Sequence, residues 1–319
     1  MRTLNLSFVL IAMICFFSFQ SCKKGDSTPV TPPVVVYPDT LTAGWSKVTV
    51  AGETGLFSDI FFNSSTTGYL IGSKIFKSTD GGNTWAAVYS GAGNLINIFM
   101  TPDGKAFFTT SNSNTIVKTI DGGANFTSTA IGASTFDIFF IDNNTGFCTA
   151  QDGLRTTTDG GITWTKIITS GLPSVFNYST LSFVNNTTGW ITTGDIYRSN
   201  GSLANWQQST SLGSNFESIF ATSASTIYAA GGSSIFKSTD GGVNFSFIKY
   251  FESPGFTDIH FLDNLNGYVS CGRHVYKTTD GGVNWTTVVS MGQGALGELH
   301  FTDATHGWVC GDGVVLIFK

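Results

Sequence analysis

Five times this chain writes Ser or Thr, a variable residue, Asp-Gly-Gly, and then Trp or Phe three places on. The copies are Ser78-Thr-Asp-Gly-Gly-Asn-Thr-Trp85, Thr119-Ile-Asp-Gly-Gly-Ala-Asn-Phe126, Thr157-Thr-Asp-Gly-Gly-Ile-Thr-Trp164, Ser238-Thr-Asp-Gly-Gly-Val-Asn-Phe245 and Thr278-Thr-Asp-Gly-Gly-Val-Asn-Trp285. A worn copy, Ser199 to Trp206, has Gly201 at the Asp position. With Trp45 the closing aromatics are Trp45, Trp85, Phe126, Trp164, Trp206, Phe245 and Trp285, at intervals of 40, 41, 38, 42, 39 and 40 residues. A unit of that length cannot bury a core alone, so it must stack on its neighbours as a propeller blade or a solenoid coil.

Each unit divides into four strand-like pieces separated by turn residues. In the third, Asp137-Ile-Phe-Phe140 precedes the turn Asp142 to Gly146, and Phe147 to Ala150 forms the second piece. Leu154 to Thr157 forms the next, and Trp164 to Ile168 follows the Asp-Gly-Gly turn. The alternation within each piece suits sandwiched strands. The last unit runs from Glu298 but stops at Ile317-Phe-Lys319, a third strand without a fourth, whereas Gly44 to Val50 reads as a fourth strand without a unit. Joining the two closes a ring and removes the exposed edges that would otherwise invite aggregation. The expectation is an all-β, seven-bladed β-propeller of four-stranded antiparallel blades over residues 43–319, closed by the strand near Trp45.

Composition excludes other classes. With 12% charged and 14% aromatic residues the 319-residue chain is not a disordered one. A net charge of −5 with 16 Lys+Arg lacks the basic footprint of a nucleic-acid binder. Residues 1–21 read as a secretion leader: Arg2 supplies the positive start, an apolar run extends from Leu6 to Phe19, and Ser21 precedes Cys22. Phe19-Gln-Ser-Cys22 resembles a bacterial lipoprotein processing site, although Phe19 replaces the usual Leu. That resemblance implies lipidation of Cys22, and Lys23 in place of Asp implies the outer membrane, so the chain is expected as a lipid-anchored envelope protein. Residues 22–42, with Pro29, Pro32, Pro33 and Pro38, are expected to form an extended tether. The odd count of Cys148, Cys271 and Cys310 does not make a disulfide framework; they are expected to be buried as small hydrophobes.

The repeated motif is the Asp-box, also called the bacterial neuraminidase repeat, in which Asp80, Asp121, Asp159, Asp240 and Asp280 are expected to staple turns rather than do chemistry. Around it, Phe62-Asn63 to Gly68-Tyr69 with Ile75-Phe-Lys-Ser-Thr-Asp-Gly-Gly82 forms a longer pattern, repeated by Phe261-Leu-Asp263 to Gly267-Tyr268 with Val275-Tyr-Lys-Thr-Thr-Asp-Gly-Gly282. In these units the region from Trp45 to Lys319 resembles the photosystem II assembly/stability factor family of propellers. The resemblance implies a non-enzymatic binding or assembly propeller; it implies no photosynthetic role. Its photosynthetic members share an arginine patch, while only Arg155, Arg198 and Arg273 remain here beyond the leader.

The position that starts each first strand reads Asp59, Asn97, Asp137, Thr180, Glu217, Asp258 and Glu298. First strands line a propeller's channel, so these form a polar ring near one mouth. Their equivalence points to capping of backbone N–H groups between blades; the alternative is a field of negative charge that attracts a metal ion or a basic partner segment. His260 and His300 lie two residues after Asp258 and Glu298, on the same strand face, which places each beside an acid. A His–carboxylate pair can relay protons or supply half a metal site. A packed histidine satisfied by its neighbours is the plainer expectation, and no cofactor or metal is assigned.

An enzyme is the alternative class. A sialidase needs an arginine cluster for its substrate's carboxylate, and a xyloglucanase resembles two tandem propellers with an acid pair between them; this chain offers three scattered arginines and one ring. Two channel carboxylates at glycosidase spacing remain an open alternative. The main reading is a non-enzymatic, monomeric scaffold for a protein or glycan partner, met by the loops joining the blades. Phe176, Tyr178, Phe251 and Phe256 in those loops are the candidate contact aromatics.

Overall fold

In the computed structural model the described residues are 37–91, 93–199, 201–210, 215–252 and 255–319. The leader, Cys22 and most of the expected tether lie outside them. Among the described residues no helix is long and apolar enough to cross a membrane. The inner strands open seven antiparallel sheets in turn: Asp59–Phe62, Leu95–Met100, Thr135–Phe140, Leu181–Phe183, Ser218–Ala221, Phe256–Phe261 and Leu296–Asp303. Each of the first six is followed by three further strands of its own blade in simple up-and-down order. The chain is a seven-bladed β-propeller, as the period predicts.

The seventh blade is completed from the other end of the sequence. Trp45–Thr49 pairs antiparallel with Val314–Phe318, Trp45 opposite Phe318 and Thr49 opposite Val314. Trp45 is buried there among Phe301, Phe318 and Val288. Pairing starts earlier than the sequence suggests, inside the stretch expected to be tether. Thr40–Leu41 adds a fifth strand to the sixth blade, with Thr40 opposite Ser290. Asp39 accepts the Gly292 N–H at 2.8 Å and holds the Lys47 ammonium. The leading residues therefore bridge the sixth and seventh blades before closing the ring.

Between blades the packing repeats one device. The last apolar residue of an inner strand lies face to face on an aromatic of the preceding blade and edge-on to the closing Trp of its own. Phe62 stacks on Trp308 at 3.7 Å and meets Trp85 edge-on. Phe140 does so with Phe107 and Trp164, Phe183 with Phe147 and Trp206, Phe261 with Tyr228 and Trp285, and Phe301 with Tyr268 and Trp45. Such ring pairs contribute about 0.5–1.5 kcal/mol beyond the area they bury. Opposite each of these phenylalanines is a glycine, because a Cβ there would overlap the ring: at Gly307 it would lie 2.1 Å from Phe301. Where the phenylalanine is missing, so is the glycine, with Met100 facing Ala106 and Ala221 facing Ile227.

The Asp-Gly-Gly turns are held by side-chain hydrogen bonds within each turn. In the first, Asp80 Oδ1 accepts the Ser78 hydroxyl and the Thr84 N–H, both at 2.9 Å, and Gly82 N–H donates to Ser78 Oγ at 2.8 Å. Gly81 and Gly82 have φ of 72° and 86°, which non-glycine residues rarely adopt. Asp121, Asp159, Asp240 and Asp280 repeat the same bond from the residue four places on. Cys148, Cys271 and Cys310 are buried, as expected of small apolar side chains.

Candidate binding channel

The antiparallel registers define the ring at the channel mouth independently of residue type. Asp59 pairs with Ile71 three places before Phe62 meets Gly68, and Asp258 stands in the same relation to Phe261 and Gly267. By that measure Asn97, Asp137, Thr180 and Glu298 fall at equivalent positions, as the sequence suggests. The fifth blade differs. Phe220 pairs with Tyr228 as Phe61 does with Tyr69, so the equivalent of Asp59 is Ser218, not Glu217. Glu217 is exposed beside it on the cavity wall. A search for a carboxylate is drawn to Glu217; the pattern Ile219-Phe220, matching Ile60-Phe61, gives the correct register.

Three of the acids tie adjacent blades together. Asp59 accepts the N–H of Ile60 and, from the second blade, that of Ile98 at 2.7 Å. Asp137 does the same with Ile138 and with Leu181 of the fourth blade at 2.8 Å. Asp258 accepts from Ile259, from the Ser218 hydroxyl at 2.7 Å and from Leu299 of the seventh blade at 3.2 Å. Thr180 instead exchanges a 3.0 Å hydrogen bond with the Thr192 hydroxyl, and Asn97 Oδ1 has no partner. Asp258 and Glu298 stand close enough for their carboxyl groups to share a proton.

Burial dominates the electrostatics. It pushes Asp137 up to about 7 against the hydrogen bonds from Leu181 and Ile138. It also raises Asp59 and Glu298 well above the carboxylate range, helped in both by the charges of Asp258 and Asp137. Glu217 and Asp258 move in the same direction for the same first reason. Asp137, Asp258 and Glu298 are only half-buried because each keeps surface on the cavity, so water there limits the penalty.

One step deeper, the same strand faces present Phe61, Phe99, Phe139, Ser182, Phe220, His260 and His300. Their rings touch in sequence: Phe220–His260 4.8 Å, His260–His300 5.4 Å, His300–Phe61 4.0 Å, Phe61–Phe99 5.1 Å and Phe99–Phe139 5.2 Å between centroids. This aromatic collar, broken only at Ser182, was missed because only the acid positions were followed; the alternation two residues on exposes it. The histidines do not pair with Asp258 and Glu298. His260 bonds the backbone of Phe301 and His300 that of Phe62, each one blade on, since the collar level puts the ring nitrogens against neighbouring carbonyls. Burial, then the nearby His300, brings His260 down to about 3, and burial brings His300 to about 4. Both are neutral near pH 7, and among the described residues no three His, Cys, Asp or Glu side chains gather to hold a metal ion.

The ring and collar line a cavity of about 1220 Å³. Its lining extends outward to Phe136, Val175, Tyr178 and Phe216 on the face of the blade-joining loops, and includes no residue of the Asp-Gly-Gly turns. Of the candidate contact aromatics, Tyr178 is 85% exposed at this rim. Phe176 and Phe251 are not contact residues. Phe176 is fully buried with Leu181 and Trp206, and Phe251 packs against Tyr276 and Trp285. The Phe256 side chain lies outside the described residues. Arg155 is forked onto Asp152 at 2.7 and 3.1 Å, Arg198 bonds Gln207 and Arg273 bonds the Gly292 carbonyl, so the three form no cluster and none lines the cavity.

Comparison with protein-family profiles gives no match, and neither does comparison with curated protein sequences. Solved structures do match. YCF48 bound to D1 peptide superposes with a TM-score of 0.72 at 16% identity, over 88% of this chain and 98% of that one. YCF48 from Cyanidioschyzon merolae gives 0.69 at 19%, over 87% and 99%. Virginiamycin B lyase from Staphylococcus aureus, in a catalytically inactive form with quinupristin, gives 0.68 at 12%, over 86% and 99%. At these identities the likeness establishes the propeller fold. A peptide-bound protein and a lyase share it, so the fold alone does not decide between binding and catalysis.

Proposed function

We propose that this chain is a non-enzymatic binding propeller that docks a partner polypeptide over the mouth of its central channel. The observation that carries the reading is the use made of the channel acids. Asp59, Asp137 and Asp258 spend their oxygens on backbone N–H groups of adjacent blades, which is scaffold construction, and they surround an open cavity rimmed by an exposed tyrosine. The YCF48 structure with a D1 peptide supports a polypeptide as the kind of partner. Lipid on Cys22 would hold the protein, as a monomer, at the outer membrane of a bacterial envelope.

The glycoside hydrolase alternative would use Asp258 and Glu298. Against it, Asp258 already accepts the N–H groups of Ile259 and Leu299 and the Ser218 hydroxyl, which commits its oxygens to the scaffold. The test is affinity capture from envelope extract with Tyr178→Ala as the comparison. Loss of a reproducible partner in the variant, with its melting temperature kept, supports docking at the mouth. Identical captured sets would refute it, and hydrolysis of an envelope glycan by the purified protein would establish the alternative.

A further inference from the structure

We infer that the channel mouth receives a cationic side chain, an alkylammonium or guanidinium group on the partner segment, passed through the acid ring onto the aromatic collar. The inference rests on the docking reading above and adds the chemistry of the group received. Three features of the cavity carry it.

The first is the sign of its walls. Asp59, Asp137, Glu217, Asp258 and Glu298 all line it, and among the described residues no lysine or arginine does. The inner strands without an acid in the ring contribute Asn97, Thr180 and Ser218, which are uncharged. The two histidines that face the cavity donate to backbone carbonyls and bring no opposing charge near neutrality. A concave surface of one sign with apolar walls focuses its field on an incoming counter-charge.

The second is the floor. Phe61, Phe99, Phe139 and Phe220 ring the cavity below the acids, and a cation over an aromatic face gains from the ring quadrupole, more so when water is excluded. The protein already uses this pairing elsewhere, with Lys237 at 4.9 Å from the Tyr228 ring and Lys277 at 5.4 Å from that of Tyr268. The third is size. A volume of about 1220 Å³ exceeds what one side chain fills, and so admits a cationic side chain together with the backbone that bears it.

Binding is coupled to protons. A cation favours the ionised carboxylates, so protons held by the ring, including the one shared by Asp258 and Glu298, leave to solvent as it enters. Affinity therefore rises with pH.

Calorimetric titration of the purified chain with Nα-acetylarginine methylamide and Nα-acetyllysine methylamide, with Nα-acetylglutamine methylamide as the uncharged comparison, tests this. The expected result is binding of the two cations at about pH 8, weaker by roughly tenfold at about pH 5, and none of the glutamine compound. Glu298→Gln, which keeps a donor toward Asp258, and Glu217→Gln, at an exposed position, should each lower affinity several-fold while the chain stays folded. Cadaverine separates the sources: binding as tight as that of the capped arginine would assign the site to a free amine and overturn the polypeptide source. Failure of both cations at about pH 8, equal binding of the glutamine compound, or affinity independent of pH would overturn the inference. Peptides lacking Lys and Arg that bind, and lose affinity in Tyr178→Ala, would sink it while leaving mouth docking intact. Failure of every peptide would sink both.

Discussion

Phe301 lies face to face on Tyr268 of the preceding blade, 3.9 Å between centroids and 13° apart, and directly opposite it in the sheet is Gly307. The glycine is the space the ring needs. Gly307→Ala should destabilise the protein by about 1–3 kcal/mol, an overpacking cost. Chemical denaturation of the single variant and of the double variant Phe301→Met, Gly307→Ala checks it. The second change should recover part of the loss, since Met100 facing Ala106 is that pairing in the second blade. Two additive losses would mean that the glycine serves something other than the ring.

Trp45→Ala should cost about 3–5 kcal/mol, because it removes a buried indole at the one strand joining the two ends of the ring. The melting temperature should fall further than in Trp85→Ala, whose indole is only half-buried. Equal losses would show that closure adds nothing beyond local packing.

Two loop aromatics two residues apart should respond in opposite ways. Phe176→Ala should destabilise by about 3–5 kcal/mol, since the ring is fully buried. Tyr178→Ala should change stability by less than about 0.5 kcal/mol and act on partner capture instead. Thermal melts of both variants decide this, and a cooperative loss of stability in Tyr178→Ala would remove it from the docking rim.

Stability should peak in mild acid. Hydrogen bonds from Asn125 hold Asp121 at about 2, and those from Asn244 hold Asp240 there. Such lowered groups stabilise the fold above the ordinary carboxylate range and lose that contribution as pH falls through their folded values. Asp137, raised to about 7 by burial, acts in the other direction. Between about pH 4 and 7 the folded state holds a proton that the unfolded chain has released, so its contribution declines as pH rises across that window. Melting temperature should therefore be higher near pH 5 than near pH 8, and Glu298→Gln should flatten the decline on the neutral side. A steady rise from about pH 5 to pH 8 would contradict the burial of the ring.

The ring, its seven blades and the closing strand were legible because each is written in repetition: the turn motif fixes where a blade ends, and an unpaired fourth strand names its own place. The candidate site was legible only in part. Glu217 drew attention because it is an acid, while the backbone register, set by Phe220 and Tyr228, placed Ser218 in the ring. The partners of His260 and His300 were hidden because they are carbonyls of the next blade, and no spacing within one strand reveals them. Phe176 and Tyr178 belong to one loop and one residue class, and only the path of the loop over the blade end separates a core ring from an exposed one.

Ser46 reaches the carbonyl of Ile317, 271 positions away. During translation the segment around Ser46 must wait, unpaired, until nearly the whole propeller has left the ribosome. Contacts of such long range form late, and until they do the seventh sheet offers a bare strand edge to any neighbouring chain. Assembly of the propeller should thus carry its greatest hazard just before its seventh sheet is closed.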